Sequence, residues 1–205
     1  MPASRLHIAN MVTAGRLAIA PLFMLCIVRA PTSPPLGWLA GVLFAIAAWS
    51  DVADGRLARR YGTASDGGRV LDHLADITFI LGALGTYVYL GIAPWWVPAA
   101  IAVSFSVYVI DSWVRSAPAT PSEASEHRRL APTLIGSRIG HLGGIANYVL
   151  IGVLTFNDSA ALHWLPPWLV AMLFALVPLY SGAAVATRFL TRRDAAGASP
   201  MVRTR

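Results

Sequence analysis

D-V-A-D-G-R-L-A-R (Asp51 to Arg59), then eight residues, then G-R-V-L-D-H-L-A-D (Gly68 to Asp76) lies between two long apolar stretches, and its two quoted strings carry four carboxylates. The acids are Asp51, Asp54, Asp72 and Asp76. A carboxylate at the centre of a membrane helix costs about 2.5–3.5 kcal/mol on insertion scales, so four of them require compensation. At 100° per residue, Asp51, Asp54, Gly55 and Ala58 share one helical face, and Gly68, Asp72 and Asp76 share a face of the next helix. Each face pairs two acids with residues that have little or no side chain. An all-oxygen ligand set favours a hard cation such as Mg²⁺ or Mn²⁺. The helix dipole agrees: acids near the end of a helix, as Asp51 and Asp54 are, are disfavoured unless a cation accompanies them.

The bulk composition makes this a membrane chain. Of 205 residues 56% are apolar, and the mean hydropathy is +0.60. Six transmembrane helices are expected, over about 10–29, 37–58, 68–91, 95–114, 133–156 and 166–190. These runs do not alternate as barrel strands do. The expected fold is an all-α membrane bundle of six helices, one domain over 1–190 followed by a basic cytoplasmic tail over 191–205. Cys26, the single cysteine, lies in the first apolar run and reads as a core residue.

Charge gives the orientation. Net charge is +6, and all 16 basic residues are Arg. Arg56, Arg59, Arg60 and Arg69 fall in one loop; Arg115, Arg128, Arg129 and Arg138 fall in another; Arg5 and five arginines from Arg188 to Arg205 flank the termini. The opposite loops hold only Arg29. By the positive-inside rule both termini and the acidic loop are cytoplasmic. The expected location is the inner (cytoplasmic) membrane, multi-pass, with membrane lipids and not nucleic acid as the partner of the basic charge. Trp38, Trp95, Trp96, Trp164 and Trp168 fall at the other interface as an aromatic belt. No cleavable signal is evident at the N-terminus.

The two acid pairs lie at matching depth. Gly37 to Ser50 gives fourteen residues before Asp51 and Ile77 to Leu90 another fourteen after Asp76, each about 21 Å against a hydrocarbon thickness of about 30 Å. Both pairs then sit several ångströms inside the cytoplasmic boundary, where a lipid phosphate reaches them from the side and a soluble group from the cytoplasm. The short connection Tyr61 to Gly67 makes the two helices antiparallel neighbours.

The string D-x2-D-G-x2-A-R-x8-G-x3-D-x3-D is matched at every fixed position by Asp51, Asp54, Gly55, Ala58, Arg59, Gly68, Asp72 and Asp76. It resembles the signature of the CDP-alcohol phosphatidyltransferases. The segment N-M-V-T-A-G-R-L-A-I-A-P, with Asn10, Thr13, Arg16 and Pro21, is similar to that family's first helix. The resemblance covers about the first 76 residues. It implies a six-helix enzyme, commonly a homodimer, that binds CDP-diacylglycerol and two divalent metal ions and passes the phosphatidyl group to a small polar alcohol, releasing CMP. Carried over residue by residue, it implies that Asp51, Asp54 and Asp72 hold the metals, with Asp76 sharing in ligation and acting as general base. It implies contact with the CDP group by Gly55, Ala58, Arg59 and Gly68, and by Asn10, Thr13 and Arg16. These residue types suit the chemistry, because phosphoryl transfer depends mainly on positioning and charge neutralisation.

The acceptor is less legible. A phosphorylated alcohol needs fixed cations, and Arg115 and Arg138 are placed for that at the cytoplasmic ends of spans four and five, where topology alone also accounts for them. Asp111, one turn before Arg115, pairs with it or caps its helix. The glycerol-phosphate branch of the family usually has a Pro after the third acid, a Lys after the fourth, and Gly-Lys-x-Lys-Thr opening span five. Here those places read Asp72-His73, Asp76-Ile77 and Gly136-Ser137-Arg138-Ile139-Gly140. Glycerol 3-phosphate is the leading acceptor, with inositol phosphate, inositol, serine and choline open. Gly136, Gly140 and Gly144 recur at i+4 and read as close helix packing. His73, His127, His141 and His163 lack metal-ligand spacing, His73 standing apart because it borders Asp72. The alternative of another class is a cation or proton transporter using the intramembrane acids.

Overall fold

The apolar runs fold as helices throughout the described residues. The computed structural model describes residues 3–61, 66–116 and 138–197, with side chains over 15–50, 70, 72–114 and 140–190. Six α-helices follow one another among the described residues: α1 (Ala3–Arg29), α2 (Pro34–Tyr61), α3 (Asp66–Tyr89), α4 (Trp96–Ser116), α5 (Arg138–Leu154) and α6 (Pro167–Gly197). A short 3₁₀ turn, Ala30–Thr32, joins α1 to α2, and a π-helical turn, Thr155–Ser159, continues α5.

Among the described residues, three segments are long and apolar enough to cross a membrane: Gly15–Thr32, Trp96–Val114 and Pro167–Leu190. The apolar part of α2 among the described residues, Pro34–Ser50, is shorter. Helix α3 carries Asp72 and Asp76 within its first turns, and α5 is 17 residues long. The five tryptophans expected at one interface are all exposed, and they lie at or near the starts of α2, α4 and α6.

Helices α1 and α3 each turn one stripe toward the other. On α1 the buried residues Arg16, Ala20, Phe23 and Ile27 form it; on α3 the partly buried Asp72 and Asp76 lead into the buried Phe79, Ala83 and Tyr87. Both follow the i, i+4, i+7, i+11 spacing of a single helical face. The stripes meet in register, charge against charge and ring against ring, so α1 and α3 run in the same direction. Phe23 stacks on Phe79 with ring centroids 5.1 Å apart, and Phe79 stacks on Tyr148 of α5 at 5.9 Å. Phe44 of α2 completes the ring, 6.3 Å from Phe23 and 6.4 Å from Tyr148. Four helices are therefore joined by one aromatic cluster. Each such pair contributes about 0.5–1.5 kcal/mol beyond burial.

Among the described residues, α2 and α3 each pack chiefly on α1. Phe23 stands between Phe44 and Phe79. Elsewhere α4 packs on α6, and α5 packs on α6 and on α3.

The far end of α3 closes with Gly91 at φ 71°, where the Ile92 N–H donates to the Tyr87 carbonyl and the Gly91 N–H donates to the Val88 carbonyl. This is a Schellman cap, and only glycine takes that conformation without strain. On α2, a side chain at Gly37 would collide with the Ser159 carbonyl, so glycine lets the π turn approach the helix backbone. The glycine spacing on α5 reads differently from expectation. Gly136 lies outside the described residues, Gly140 is exposed, and nothing stands near where a Gly144 side chain would be. The close contact is at Gly143, whose Cβ position is 3.4 Å from the Tyr180 ring.

Phe79→Ala should cost about 3–5 kcal/mol, because it opens a cavity among four helices. Thermal unfolding of the purified protein in detergent checks this, and an unchanged melting temperature contradicts the central place given to the aromatic cluster.

Candidate active site

Asp72 and Asp76 project from the first turns of α3, one turn apart on the same face. Arg16 of α1 lies beneath them with its side chain sealed from solvent. Its Nη1 is 3.5 Å from Asp72 Oδ1 and donates a short hydrogen bond to Asp76 Oδ1. The Tyr148 hydroxyl of α5 donates to the same Asp76 oxygen at 3.1 Å. Asp76 is thus held from two sides, by a cation and by a phenol. Asp72 is the more open of the two, with 38% of its side chain exposed against 24% for Asp76.

His73 completes a group with the two acids. Asp72, His73 and Asp76 each offer a ligand atom, and these atoms lie within 4.8 Å of one another. Two carboxylates and an imidazole at that separation fit a divalent cation, with oxygen dominant in the donor set. Arg16 supplies the positive charge that two adjacent carboxylates otherwise lack, which lets them face each other at this distance.

Behind this face lies a second polar chain. The His73 ring is 5.8 Å from the Tyr108 ring of α4, and Arg188 of α6 lies over Tyr108 at 4.5 Å. Arg188 Nη1 donates to Asp111 Oδ2 at 3.1 Å, both side chains being buried. Asp111 thus has Arg188 as a partner, which the sequence reading did not foresee, because the packing of α4 on α6 brings a buried guanidinium to the carboxylate from 77 residues away.

The structure brings together Asp72, Asp76 and Arg16 from the residues singled out in the sequence. The side chains of Asp51, Asp54, Gly55, Ala58, Arg59 and Gly68 lie outside the described residues, as do those of Asn10, Thr13, Arg115 and Arg138. Asp51 and Asp54 belong to α2, in its last turns. Tyr148 and Arg188 escaped the sequence reading. A tyrosine within an apolar run carries no motif, and Arg188 reads there as one more cytoplasmic charge.

Comparison with known proteins supplies the context. The family model described as CDP-alcohol phosphatidyltransferase matches residues 6–190. The chain is 36% identical over 99 residues to a probable phosphatidylglycerophosphate synthase of Mycobacterium tuberculosis, covering 46% of each chain. It is 41% identical over 93 residues to a cardiolipin synthase (CMP-forming) of Streptomyces coelicolor, covering 44% of this chain and 43% of that one. With the CDP-diacylglycerol–glycerol-3-phosphate 3-phosphatidyltransferase of Bacillus subtilis it shares 35% identity over 106 residues, 46% of this chain and 54% of the other. The chain spans about half the length of these curated relatives in each match.

The buried ion pair yields a prediction. Asp111→Ala should destabilise the protein by about 3–5 kcal/mol, because it leaves the Arg188 charge uncompensated in the bundle. Combining it with Arg188→Met should recover most of the loss. Thermal melts of the single and double variants decide it, and a mild single variant or an additive double variant contradicts the pairing.

Proposed function

The chain belongs to the CDP-alcohol phosphatidyltransferase family, and from that premise we propose that it transfers a phosphatidyl group from CDP-diacylglycerol to the hydroxyl of a small polar alcohol, releasing CMP. It is a membrane transferase of phospholipid biosynthesis. The observation that carries the proposed mechanism is the gathering of Asp72, Asp76, Arg16 and Tyr148 at one end of the bundle. The family match favours transfer over the transporter alternative.

In this reading Asp51, Asp54, Asp72 and Asp76 hold two Mg²⁺ or Mn²⁺ ions. When bound, such ions neutralise the diphosphate and the charge that develops on departing CMP. Asp76 accepts the proton of the acceptor hydroxyl. Arg16 and Tyr148, both bonded to its Oδ1, fix its orientation. Arg59 meets the phosphates of the CDP group; Gly55, Ala58 and Gly68 admit it close to the backbone; Asn10 and Thr13 contact it from α1. Arg16 serves this pocket by organising the acids.

Glycerol 3-phosphate is the proposed acceptor, supported by the names of the Mycobacterium and Bacillus relatives. Cardiolipin formation is the second reading, supported by the Streptomyces relative. Arg115 and Arg138 are the proposed cations for an acceptor phosphate, since Arg188 is engaged with Asp111. The proposed topology has six spans in the inner membrane, both termini and the acidic face on the cytoplasmic side, one domain over 1–190 with a basic tail beyond it, and a homodimer as the assembly.

Three measurements test this. Removing divalent metal with a chelator should abolish CMP release. Asp51→Asn, Asp54→Asn and Asp72→Asn should weaken metal and CDP-lipid binding together, whereas Asp76→Asn should keep more CDP-lipid affinity and lose turnover, because an amide takes no proton. An affinity loss in Asp76→Asn equal to the others makes Asp76 a ligand only. Arg138→Ala should raise the acceptor KM about tenfold, on the order of 1.4 kcal/mol, and leave the CDP-lipid KM unchanged. Indifference to this change and to Arg115→Ala points to a neutral acceptor.

A further inference from the structure

The opposite end of the bundle holds a cavity of about 910 Å³, between the α3–α4 turn and the start of α6. Gly91 on its rim lies about 22 Å from Asp76 along α3, at 1.5 Å per residue. The proposed transfer chemistry does not use it.

Its wall is divided by polarity. On one side stand Asn157 and Asp158 of the π turn; on the other, Val170, Ala171 and Phe174 of α6; Trp164 borders it from the connecting segment. π turns recur at functional positions. The polar side is well ordered by its own bonds. Buried Asn157 accepts the Leu165 N–H on Oδ1 at 2.9 Å, and its carbonyl accepts the His163 N–H at 3.0 Å. Ala161 and His163 are held at φ 55° and 45°, conformations that residues with side chains seldom adopt.

Asp158 is the informative group. Its Oδ2 is buried with no hydrogen-bond donor among the described residues, although Asp158 is only partly buried and lines the cavity. A carboxylate that has lost solvent on one side without gaining a donor is stabilised by a cation on the other. Asp158 is the only acid among the described lining residues, and none of them is Arg. A single acid matches a monovalent cation better than a divalent ion, which takes several oxygen ligands. Trp164 adds an aromatic face suited to an ammonium group. The apolar wall on α6 suits an acyl chain.

We propose that this cavity binds an amine-headed phospholipid, its ammonium group at Asp158 and Trp164 and its glycerol and upper chain along Val170, Ala171 and Phe174. The site is separate from the transfer site and selects a resident lipid by headgroup charge.

Native mass spectrometry of the purified full chain, exchanged into mixed micelles of phosphatidylethanolamine and phosphatidylglycerol with identical chains, tests it. Phosphatidylethanolamine should be retained about tenfold over phosphatidylglycerol, as expected for one charge-assisted contact. Asp158→Asn should bring the two lipids to parity while CMP release continues unchanged. Trp164→Leu, a change at an exposed side chain that the fold does not need, should lower phosphatidylethanolamine retention several-fold. Free ethanolamine at the lipid's concentration should displace nothing. Equal retention of the two lipids by the wild type, or wild-type preference in either variant, overturns the site. Displacement by ethanolamine alone overturns its assignment to a lipid.

Discussion

A guanidinium sealed inside an apolar bundle must have its charge answered, and Arg16 is answered by Asp72 and Asp76. The requirement runs both ways. Without the cation, two carboxylates one helical turn apart repel each other in a medium that screens charge poorly. Without the carboxylates, a buried arginine is among the most costly residues a membrane helix can hold. The pairing therefore sets the register between α1 and α3, and the aromatic stack of Phe23 on Phe79 repeats that register two turns further in. Charge and ring packing specify the same alignment, which is the mutual support expected of a sequence with one native structure.

From that alignment the remainder of the site follows. Phe79 carries Tyr148 on its other face, so the ring that packs the core also delivers a hydroxyl to Asp76. Asp76 is left more enclosed than Asp72, and this difference in environment suits a division of labour between a base and a metal ligand. The Arg188–Asp111 pair performs a similar alignment for α4 and α6, and Tyr108 links it to His73 at the site's edge. The acidic face thus rests on all four of the helices α1, α3, α5 and, through Tyr108, α4.

Much of this was legible before folding. Apolar runs located the helices, and the i, i+4 spacing put Asp72 and Asp76 on one face, because both depend only on local periodicity. What escaped was set by tertiary packing. The first-helix resemblance singled out Arg16, but its carboxylate partners lie 56 and 60 residues away, beyond the reach of local spacing. Arg188 was hidden because nothing local distinguishes a buried arginine from one that marks topology. Tyr148 was hidden because a tyrosine in an apolar helix reads as core, and it is core except for its hydroxyl. The glycines of α5 were assigned by spacing alone, whereas contact depends on helix rotation, and rotation placed Gly143 against Tyr180 in place of Gly144.

The proposed transfer from a CDP-lipid at the face carrying Asp72 and Asp76 ties CMP formation to phosphatidyl product in a fixed stoichiometry. Purified protein given CDP-diacylglycerol, Mg²⁺ and glycerol 3-phosphate should release one CMP for each phosphatidyl product formed, and release should stop when the alcohol is omitted. No CMP with any phosphorylated, neutral or lipid alcohol, together with cation flux through the same protein in sealed vesicles, would contradict the account.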